Sequence, residues 1–477
     1  MELVRDFGDP HVLTLAEDHI VLKLELPWPR DVELPQGISL ADDEGLLLVG
    51  NRESLVSVRQ STLTRVARIS KALFCGCASF DSWDRYASAA MNLLRDAEEI
   101  CIVHNRDKVH KLVRMFPNVK VLALLHDLCE HYVELDEPCR DLFAPLVEGS
   151  QLRKLVCSAS NLYDGYLVMS HETTLALLRT CPDMSRIDSP WVMQCFTGPR
   201  SLPIPLERSK ATNITHLLLS SWKRVSTGWL PAPVTTGDMI LAAKTFPAVE
   251  TLQVYVRSAE ALSKISTFRN LRSLTLKFNE GGTPEGMDLG IKHFPDLEEL
   301  TMEGCDGVML SKIAELCPQI KILRLLDCTG STKDVRLDAR AFSSLESVTL
   351  RMWMLQDTLA SFLSATHKTL RTAWFGDSSL CVEFLHHSVQ YGQRLPFSRL
   401  EHLGLCTKST LREMELEPRE LHHVLKALPV IRHLETDSYD LRLFFENYCV
   451  PRGQLCLSWI GCVSCEVYNP ELARRFH

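Results

Sequence analysis

The chain has 477 residues, of which 45% are hydrophobic and 23% are charged, an ordinary balance for a soluble globular protein. Its 52 basic and 60 acidic residues give a formal net charge of −8 without long single-sign runs. The basic footprint of a nucleic-acid-binding protein is therefore missing, and we expect no nucleic acid partner. The N-terminus lacks the pattern of a signal peptide, and no apolar run reaches the roughly 18–20 residues that span a bilayer. We expect a cytoplasmic or nuclear protein that does not contact a membrane.

Residues 1–96 differ from the rest of the chain and are predicted to form an N-terminal cap. The alternation in Ile20–Leu26 predicts a half-buried strand, and the run from Gly45 to Val49 is a second short apolar segment. From Arg52 to Phe74 the apolar residues approximate helical spacing, and a further helix is predicted to begin at Asp81. The segment Ala97–Ile102 then reads as an opening strand.

A short apolar phrase recurs along the rest of the chain. Its clearest copy is FPDLEELTM at 294–302, and the same pattern recurs as FPNVKVLAL (116–124), FPAVETLQV (246–254), FRNLRSLTL (268–276), CPQIKILRL (317–325), FSSLESVTL (342–350) and FSRLEHLGL (397–405). Counted at the first apolar residue, twelve copies fall at Val119, Leu152, Met184, Ile214, Val249, Leu271, Leu297, Ile320, Leu345, Leu370, Leu400 and Ile431, at intervals of 22 to 35 residues.

An L-x-x-L-x-L phrase at this period indicates a leucine-rich repeat solenoid. In each unit the phrase is the strand, and segments such as Leu310–Leu316, Leu355–Leu363 and Leu421–Leu428 have helical spacing. Single units cannot bury their own apolar face, so they must stack. We predict an α/β solenoid over 97–437, an irregular horseshoe with a parallel sheet on the concave face and helices on the convex face. Residues 438–477 would form a C-terminal cap.

The cysteines narrow the resemblance to one class of repeat. Seventeen cysteines scattered through a long chain are typical of reduced thiols that pack as small hydrophobes. In the run from Glu303 to Cys328, Cys305 follows one strand, Cys317-Pro318 precedes the next and Cys328 follows it. This order resembles the cysteine-containing leucine-rich repeats of F-box proteins, and the whole layout is similar to fungal F-box-like proteins with degenerate repeats.

The resemblance implies a partner at each end of the chain. F-box proteins are the substrate adaptors of cullin–RING ubiquitin ligases, so the repeats would bind a protein substrate and the N-terminus a Skp-type ligase adaptor. An F-box is a compact three-helix unit of about fifty residues that opens with Leu-Pro. Leu26-Pro27 and Leu34-Pro35 both stand where it could open, but Pro29, Pro35 and Gly37 interrupt the first. The N-terminal region is therefore a degenerate or missing F-box, followed by a linker helix.

The concave sheet face is the predicted partner-binding surface, because solenoid curvature makes it the usual binding face. It mixes arginine, lysine, tyrosine and tryptophan, of which Arg, Tyr and Trp are enriched at interface hot spots. The alternative is a solvated sheet face with no partner. For Trp374 the register is ambiguous, because Ala373 and Phe375 flank it. The predicted residues are Gln253, Tyr255, Thr275, Lys277, Thr301, Glu303, Arg324, Thr349, Arg351 and Trp374.

Catalytic and metal sites have weaker signals. Cys462-x-x-Cys465 has the spacing of half a zinc knuckle, yet Cys449 and Cys456 do not supply the other half, and inward-pointing thiols of capping strands are the alternative. The pairs His386-His387 and His422-His423 are predicted to be surface histidines. No phosphate loop or nucleophile motif occurs. We therefore expect no cofactor and no enzyme activity, and bound metal on elemental analysis would revive a metal enzyme or hydrolase.

Two functions remain open at this stage. The first is an F-box-like substrate-recognition subunit that presents its partner for ubiquitylation. The second is a leucine-rich repeat scaffold without ligase docking. Three packed helices near the N-terminus would favour the first function, and a β-rich cap would favour the second.

Overall fold

A computed structural model describes residues 20–24, 34, 36, 38–40, 46–49, 57, 68–74, 95–103, 118–125, 151–157, 171–189, 191–197, 202–219, 221–225, 228–256, 259–278, 294–334, 336–391, 394–407, 413, 416–448 and 456–459. These residues divide into two compact units. The first comprises the described parts of 20–218 and 222–231, and the second those of 219–221 and 232–459.

The first unit opens with antiparallel strands. β1 pairs with both β3 and β4, and β2 pairs with β3. The strand predicted at Ile20–Leu26 is thus confirmed over its first five residues, and the apolar run that ends at Val49 contains β3. The four strands are β1 (Ile20–Leu24), β2 (Ile38–Leu40), β3 (Leu46–Val49) and β4 (Ile69–Phe74).

The helical prediction for Arg52–Phe74 is wrong over its last six residues, which form β4. The error has a simple cause: residues four apart, such as Ile69 and Leu73, share a face in a strand as well as in a helix. Both side chains are buried, with 5% and 0% of their surface exposed. The helix predicted from Asp81 lies outside the described residues.

From β4 onward the strands of the first unit are parallel, each hydrogen-bonded to the next. The opening strand predicted at Ala97–Ile102 is confirmed as β5. The strands are β5 (Glu99–Val103), β6 (Val121–Leu125), β7 (Lys154–Cys157), β8 (Arg186–Ile187) and β9 (His216–Leu219), with helices α1 (His171–Thr180), α2 (Val192–Thr197) and α3 (Ile204–Asn213). β10 (Ser221–Val225) and β11 (Gly228–Ala232) form a separate two-stranded sheet.

The second unit repeats strand and connection, with every strand parallel to its successor. Its strands are β12 (Thr251–Val256), β13 (Ser273–Phe278), β14 (Glu299–Glu303), β15 (Ile322–Thr329), β16 (Ser347–Trp353), β17 (Thr372–Phe375), β18 (His402–Leu405), β19 (His433–Thr436) and β20 (Cys456–Trp459). Its helices are α4 (Thr236–Thr245), α5 (Ala259–Leu262), α6 (Leu310–Leu316), α7 (Gln356–Thr366), α8 (Ser378–Tyr391), α9 (Pro418–Ala427) and α10 (Tyr439–Tyr448), with a 3₁₀ turn at Ile265–Thr267.

The recurrent phrase builds the core as predicted. Strand register aligns one apolar residue of each phrase with its counterparts, in the row Leu252, Leu274, Leu300, Leu323, Val348, Ala373, Leu403 and Leu434. All eight are at most 3% exposed. The helices cover this face: the ring of Phe384 in α8 lies 5.0 Å from that of Phe375 in β17. The chain is therefore a leucine-rich repeat solenoid with a long parallel sheet, and the predicted helices at Leu310, Leu355 and Leu421 are confirmed as α6, α7 and α9.

A ladder of alternating charge runs along the edge where the strands of the second unit begin. The residue just before each strand is, in order, Glu250, Arg272, Glu298, Lys321, Glu346, Arg371, Glu401 and Arg432. Each backbone N–H in this charge ladder, from Arg272 on, donates to the carbonyl of the member before it. Glu298 lies 2.8 Å from Lys321 and 3.6 Å from Arg272. Because neighbouring repeats carry opposite signs, the charge ladder favours the native order of repeats over one that omits a repeat.

Reversing the charge of Glu298 is expected to destabilise the solenoid. Glu298→Lys would place three cations side by side, and we expect the free energy of unfolding to fall by about 1 kcal/mol, since an exposed ion pair contributes roughly 0.2–1 kcal/mol. Denaturant unfolding of the full chain measures the loss. Glu298→Gln, which removes the charge without adding one, should lose less, and salt at about 1 M should bring the two variants together. An equal loss in both at every salt concentration would contradict an electrostatic ladder.

Candidate functional site

Strand register assembles the predicted surface into two rows on the sheet face turned away from the helices. The first row is Gln253, Thr275, Thr301, Arg324, Thr349 and Trp374, continued by Gly404 and Glu435. The second row, two residues further along each strand, is Tyr255, Lys277, Glu303, Leu326 and Arg351. All ten predicted residues thus alternate with the buried core positions. That they bind a partner stays a prediction.

Two members of the second row are not accessible. Tyr255 is 3% exposed and Lys277 is 4% exposed, although both occupy outward positions of their strands. The backbone N–H of Val234, just before α4, donates to the carbonyl of Tyr255, and the ammonium of Lys277 lies 2.7 Å from the carboxylate of Glu303. The partner-binding surface proposed below is therefore built from the other eight residues.

The charges on the two rows are paired within the sheet. Arg324 binds Glu299 of the preceding strand, and Ser273 donates to the other oxygen of the same carboxylate at 2.9 Å. Arg351 donates two hydrogen bonds to the carboxylate of Asp327, and the one from Nε to Oδ1 is 2.8 Å long. With Lys277 and Glu303, three cations pair with three carboxylates, and Glu435 at the end of the first row is hydrogen-bonded to His433.

Trp374 lies outward, which resolves its ambiguous register. Its neighbours Ala373 and Phe375 are buried, and its indole spreads across two glycines. A Cβ on Gly404 would lie 2.0 Å from Cδ1 and 2.7 Å from Nε1 of the ring, and one on Gly376 would lie 2.4 Å from Cζ3. The pyrrole half of the indole therefore covers Gly404 and the benzene half covers Gly376. Because neither glycine has a side chain, the flat indole ring can lie directly on the backbone of both.

Sequence reasoning missed three residues that shape this surface, Asp327, Gly376 and Gly404, and it placed Glu299 on the outward face without predicting its pairing. Glu299 alternates correctly with Thr301, but only the neighbouring strand shows that it pairs with Arg324. Asp327 occupies a left-handed backbone position, φ 51°, where the register shifts between Leu326 and Cys328. Gly404 and Gly376 could have been found, because a glycine next to an outward tryptophan in the aligned repeats signals space for the ring.

The cysteine-containing repeat is built as expected. Cys305, Cys317 and Cys328 are buried free thiols, and burial raises the pKa of Cys317 and of Cys328 to about 12. Thiols with such a pKa are protonated near neutral pH, so they are poor nucleophiles and poor metal ligands. Their role is packing.

No group of three or more potential ligands that could hold a metal ion occurs among the described residues. Cys449, Cys462 and Cys465 of the candidate zinc cluster lie outside those residues, and so does the side chain of Cys456. The zinc alternative is therefore untested. None of the described helices has the length and hydrophobicity needed to cross a bilayer.

The surface prediction for the histidine pairs is wrong for His387. This residue lies on α8 with only 5% of its surface exposed, and its ring centroid is 6.4 Å from that of Phe397. Burial lowers its pKa to about 4. A neutral histidine enclosed between helices is part of the core.

Comparisons with known proteins return structural neighbours but no family. No protein-family model matches the chain, and no curated protein matches its sequence significantly. A chain in the crystal structure of the Rad7–Elc1 complex in yeast is 11% identical, with a TM-score of 0.37 over 87% of this chain and 88% of that one. A leucine-rich repeat protein of Leptospira interrogans is 11% identical, with a TM-score of 0.32 over 77% and 91%.

A third neighbour comes from the complex of TLR13 with ssRNA13. It is 11% identical, with a TM-score of 0.29, and the match covers 78% of this chain and 55% of that one. At these scores the neighbours carry no argument about function. The fold assignment rests on the strand register and the helix packing of the chain itself.

Adding a side chain beneath Trp374 is expected to displace its ring. Gly404→Ala puts a methyl group where the indole lies, so the ring must rotate away from the sheet, and we expect a change in tryptophan emission. The change should vanish when Gly404→Ala is made together with Trp374→Phe, which separates Trp374 from the other seven tryptophans. Gly237→Ala is the control, because its Cβ meets only an ordinary contact of 3.7 Å. Unchanged emission in Gly404→Ala would contradict the arrangement.

Proposed function

We propose that the chain is a non-catalytic scaffold that binds a protein partner on the sheet face bearing the two rows. The observation that carries the proposal is the pair of outward rows across β14 to β17, in which Arg324, Arg351 and Trp374 are side-chain types enriched at interface hot spots. Rigid parallel strands hold these side chains in register, so little conformational freedom is lost when a partner binds.

The charge pairs on this face support a protein partner over a polyanion. Arg324 and Arg351 are already engaged by Glu299 and Asp327. A nucleic acid would have to compete with both carboxylates, and its affinity comes mainly from unpaired cations that neutralise phosphates. The absence of a nucleic acid partner and of catalysis is part of this proposal.

The N-terminal strands support a scaffold without ligase docking. In the part of residues 20–74 that the structure describes, β1 to β4 form an antiparallel arrangement. A three-helix F-box that opened at Leu26 or Leu34 would occupy the same stretch of chain as β2, β3 and β4. The ligase-adaptor role is the second candidate, favoured by the buried cysteines of the repeat from Glu303 to Cys328, which resemble those of F-box proteins.

Site-specific cross-linking tests the binding face. We expect a photo-reactive amino acid at Thr301 or Thr349 to capture a protein in cells that naturally express the chain, because both positions lie on the outward row. Asp357 is the matched control, an exposed residue in the first turn of α7 on the helical side. Capture at Asp357 equal to or stronger than capture at Thr349 would contradict a partner on the sheet face.

Co-purification separates the two candidate functions. The full chain and a version lacking residues 1–96 are each mixed with the Skp-type adaptor subunit. We expect neither to retain the adaptor, because β1 to β4 leave no three-helix unit in the described part of the N-terminal region. Stable binding by the full chain alone would establish the ligase-adaptor role, and circular dichroism would show that both proteins are folded.

A further inference from the structure

The indole of Trp374 is a partly exposed aromatic platform with charged groups at both ends. One ring face lies on Gly376 and Gly404, so the opposite face is turned outward. Beyond the benzene half, a Cβ added to Gly376 would lie 3.2 Å from the Cβ of Arg351. Beyond the pyrrole half, Glu435 is the next residue of the first row after Gly404. Glu435 is 9% exposed, and one oxygen of its carboxylate lies 3.1 Å from Nε2 of His433.

Negative charge predominates around this platform. Asp327, Asp377, Glu435 and Asp437 are carboxylates and Arg351 is a cation, a formal excess of three negative charges when histidine is counted as neutral. Asp327 is paired with Arg351, and Glu435 is hydrogen-bonded to His433. Asp377 directly follows Gly376, and Asp437 comes two residues after Glu435, so both stand at the edge where the strands end.

The pKa of the buried Cys406 thiol, two residues beyond Gly404, responds to charges in the same region. Burial is the largest cause of its raised pKa, and Asp437 and Glu435 raise that pKa further. Arg351 acts in the opposite direction. Asp437, Glu435 and Arg351 are therefore all near Cys406, which follows the strand that carries Gly404.

We propose that Trp374, with Glu435 at its pyrrole end, is the subsite that receives a lysine or arginine side chain of the protein partner. An aromatic face attracts a cation through the negative charge of its π system, and a carboxylate beside the ring adds charge complementarity. A neutral or proline-rich segment would gain only the ring contact, and an acidic one would be repelled. The assignment of this subsite rests on the proposed function, and it specifies that the partner presents a basic side chain.

Peptide selection on the intact protein tests this subsite. A random phage-displayed peptide library is selected on the immobilised full chain and counter-selected on the Trp374→Ala variant. We expect the surviving peptides to carry a lysine or arginine at one fixed position. Replacing that residue with norleucine or citrulline should raise the dissociation constant about tenfold, as should Trp374→Ala, and Glu435→Gln should raise it several-fold.

The controls distinguish binding at the subsite from non-specific binding and from misfolding of the variants. Trp353→Ala removes another tryptophan of the same sheet face, 51% exposed and two residues after Arg351, and should leave the dissociation constant unchanged. Circular dichroism and thermal unfolding check that Trp374→Ala is folded, and Glu435→Gln provides an isosteric second variant.

Three results would overturn the proposal: survivors without a required basic residue, survivors that bind Trp374→Ala equally well, or no Trp374-dependent peptide at all. The proposed function has a separate readout. If the partner still cross-links at Thr349 in the Trp374→Ala chain at full efficiency, the scaffold function is supported and the proposed subsite for a basic side chain is wrong. If no protein cross-links at Thr301 or Thr349 in the unmodified background, the scaffold function itself fails.

Discussion

Each strand of the solenoid can bury its apolar residues only against the same residues of the next strand, because one repeat is too small to enclose a core. The row from Leu252 to Leu434 is the result: it is continuous through eight strands and at most 3% exposed. A slip of one residue would turn that row to solvent and bury Arg324 or Trp374 in its place, since side chains alternate with a period of two. The buried row therefore fixes the register, and the register decides which side chains share the outward face.

The same constraint explains the start of the sheet. A parallel ladder that began at β4 would leave the hydrogen-bonding groups of that strand open, and open edges invite pairing with other chains. β1 lies antiparallel along β4 from Ile20 to Leu24 and occupies this edge. Its buried residues Leu22 and Leu24 attach it to the apolar core. The antiparallel pairing of β1 thus covers the edge at which the parallel ladder begins.

The sequence predicts features that depend on spacing within one repeat, and it fails where neighbours from other repeats decide. The buried positions, the parallel strands and the helices α6, α7 and α9 follow from aliphatic spacing alone. The assignment of β4 fails because spacing by four fits a strand and a helix equally. The N-terminus of α6 is a different case: Met309 offers no side-chain cap, and the carboxylate of Asp334, 24 residues later, accepts from the N–H of Leu310 at 2.7 Å. Only the stacked structure brings such a pair together.

The candidate site, too, is predicted only in part from the spacing within one repeat. Ten outward residues could be taken from the alternation of the strands, but burial removes Tyr255 and Lys277 from the accessible set. Lateral neighbours also determine the chemistry of the rest, because Arg324 and Arg351 are each engaged by a carboxylate of the preceding strand.

Charges paired in this way contribute little long-range attraction, which leaves selectivity to groups that are not neutralised by a neighbour. Trp374 is uncharged, and its ring lies on Gly376 and Gly404. The alternating charge ladder at the other end of the strands is self-neutralising as well. We therefore expect the Trp374 ring and the carboxylates near it, rather than the paired arginines, to select a partner.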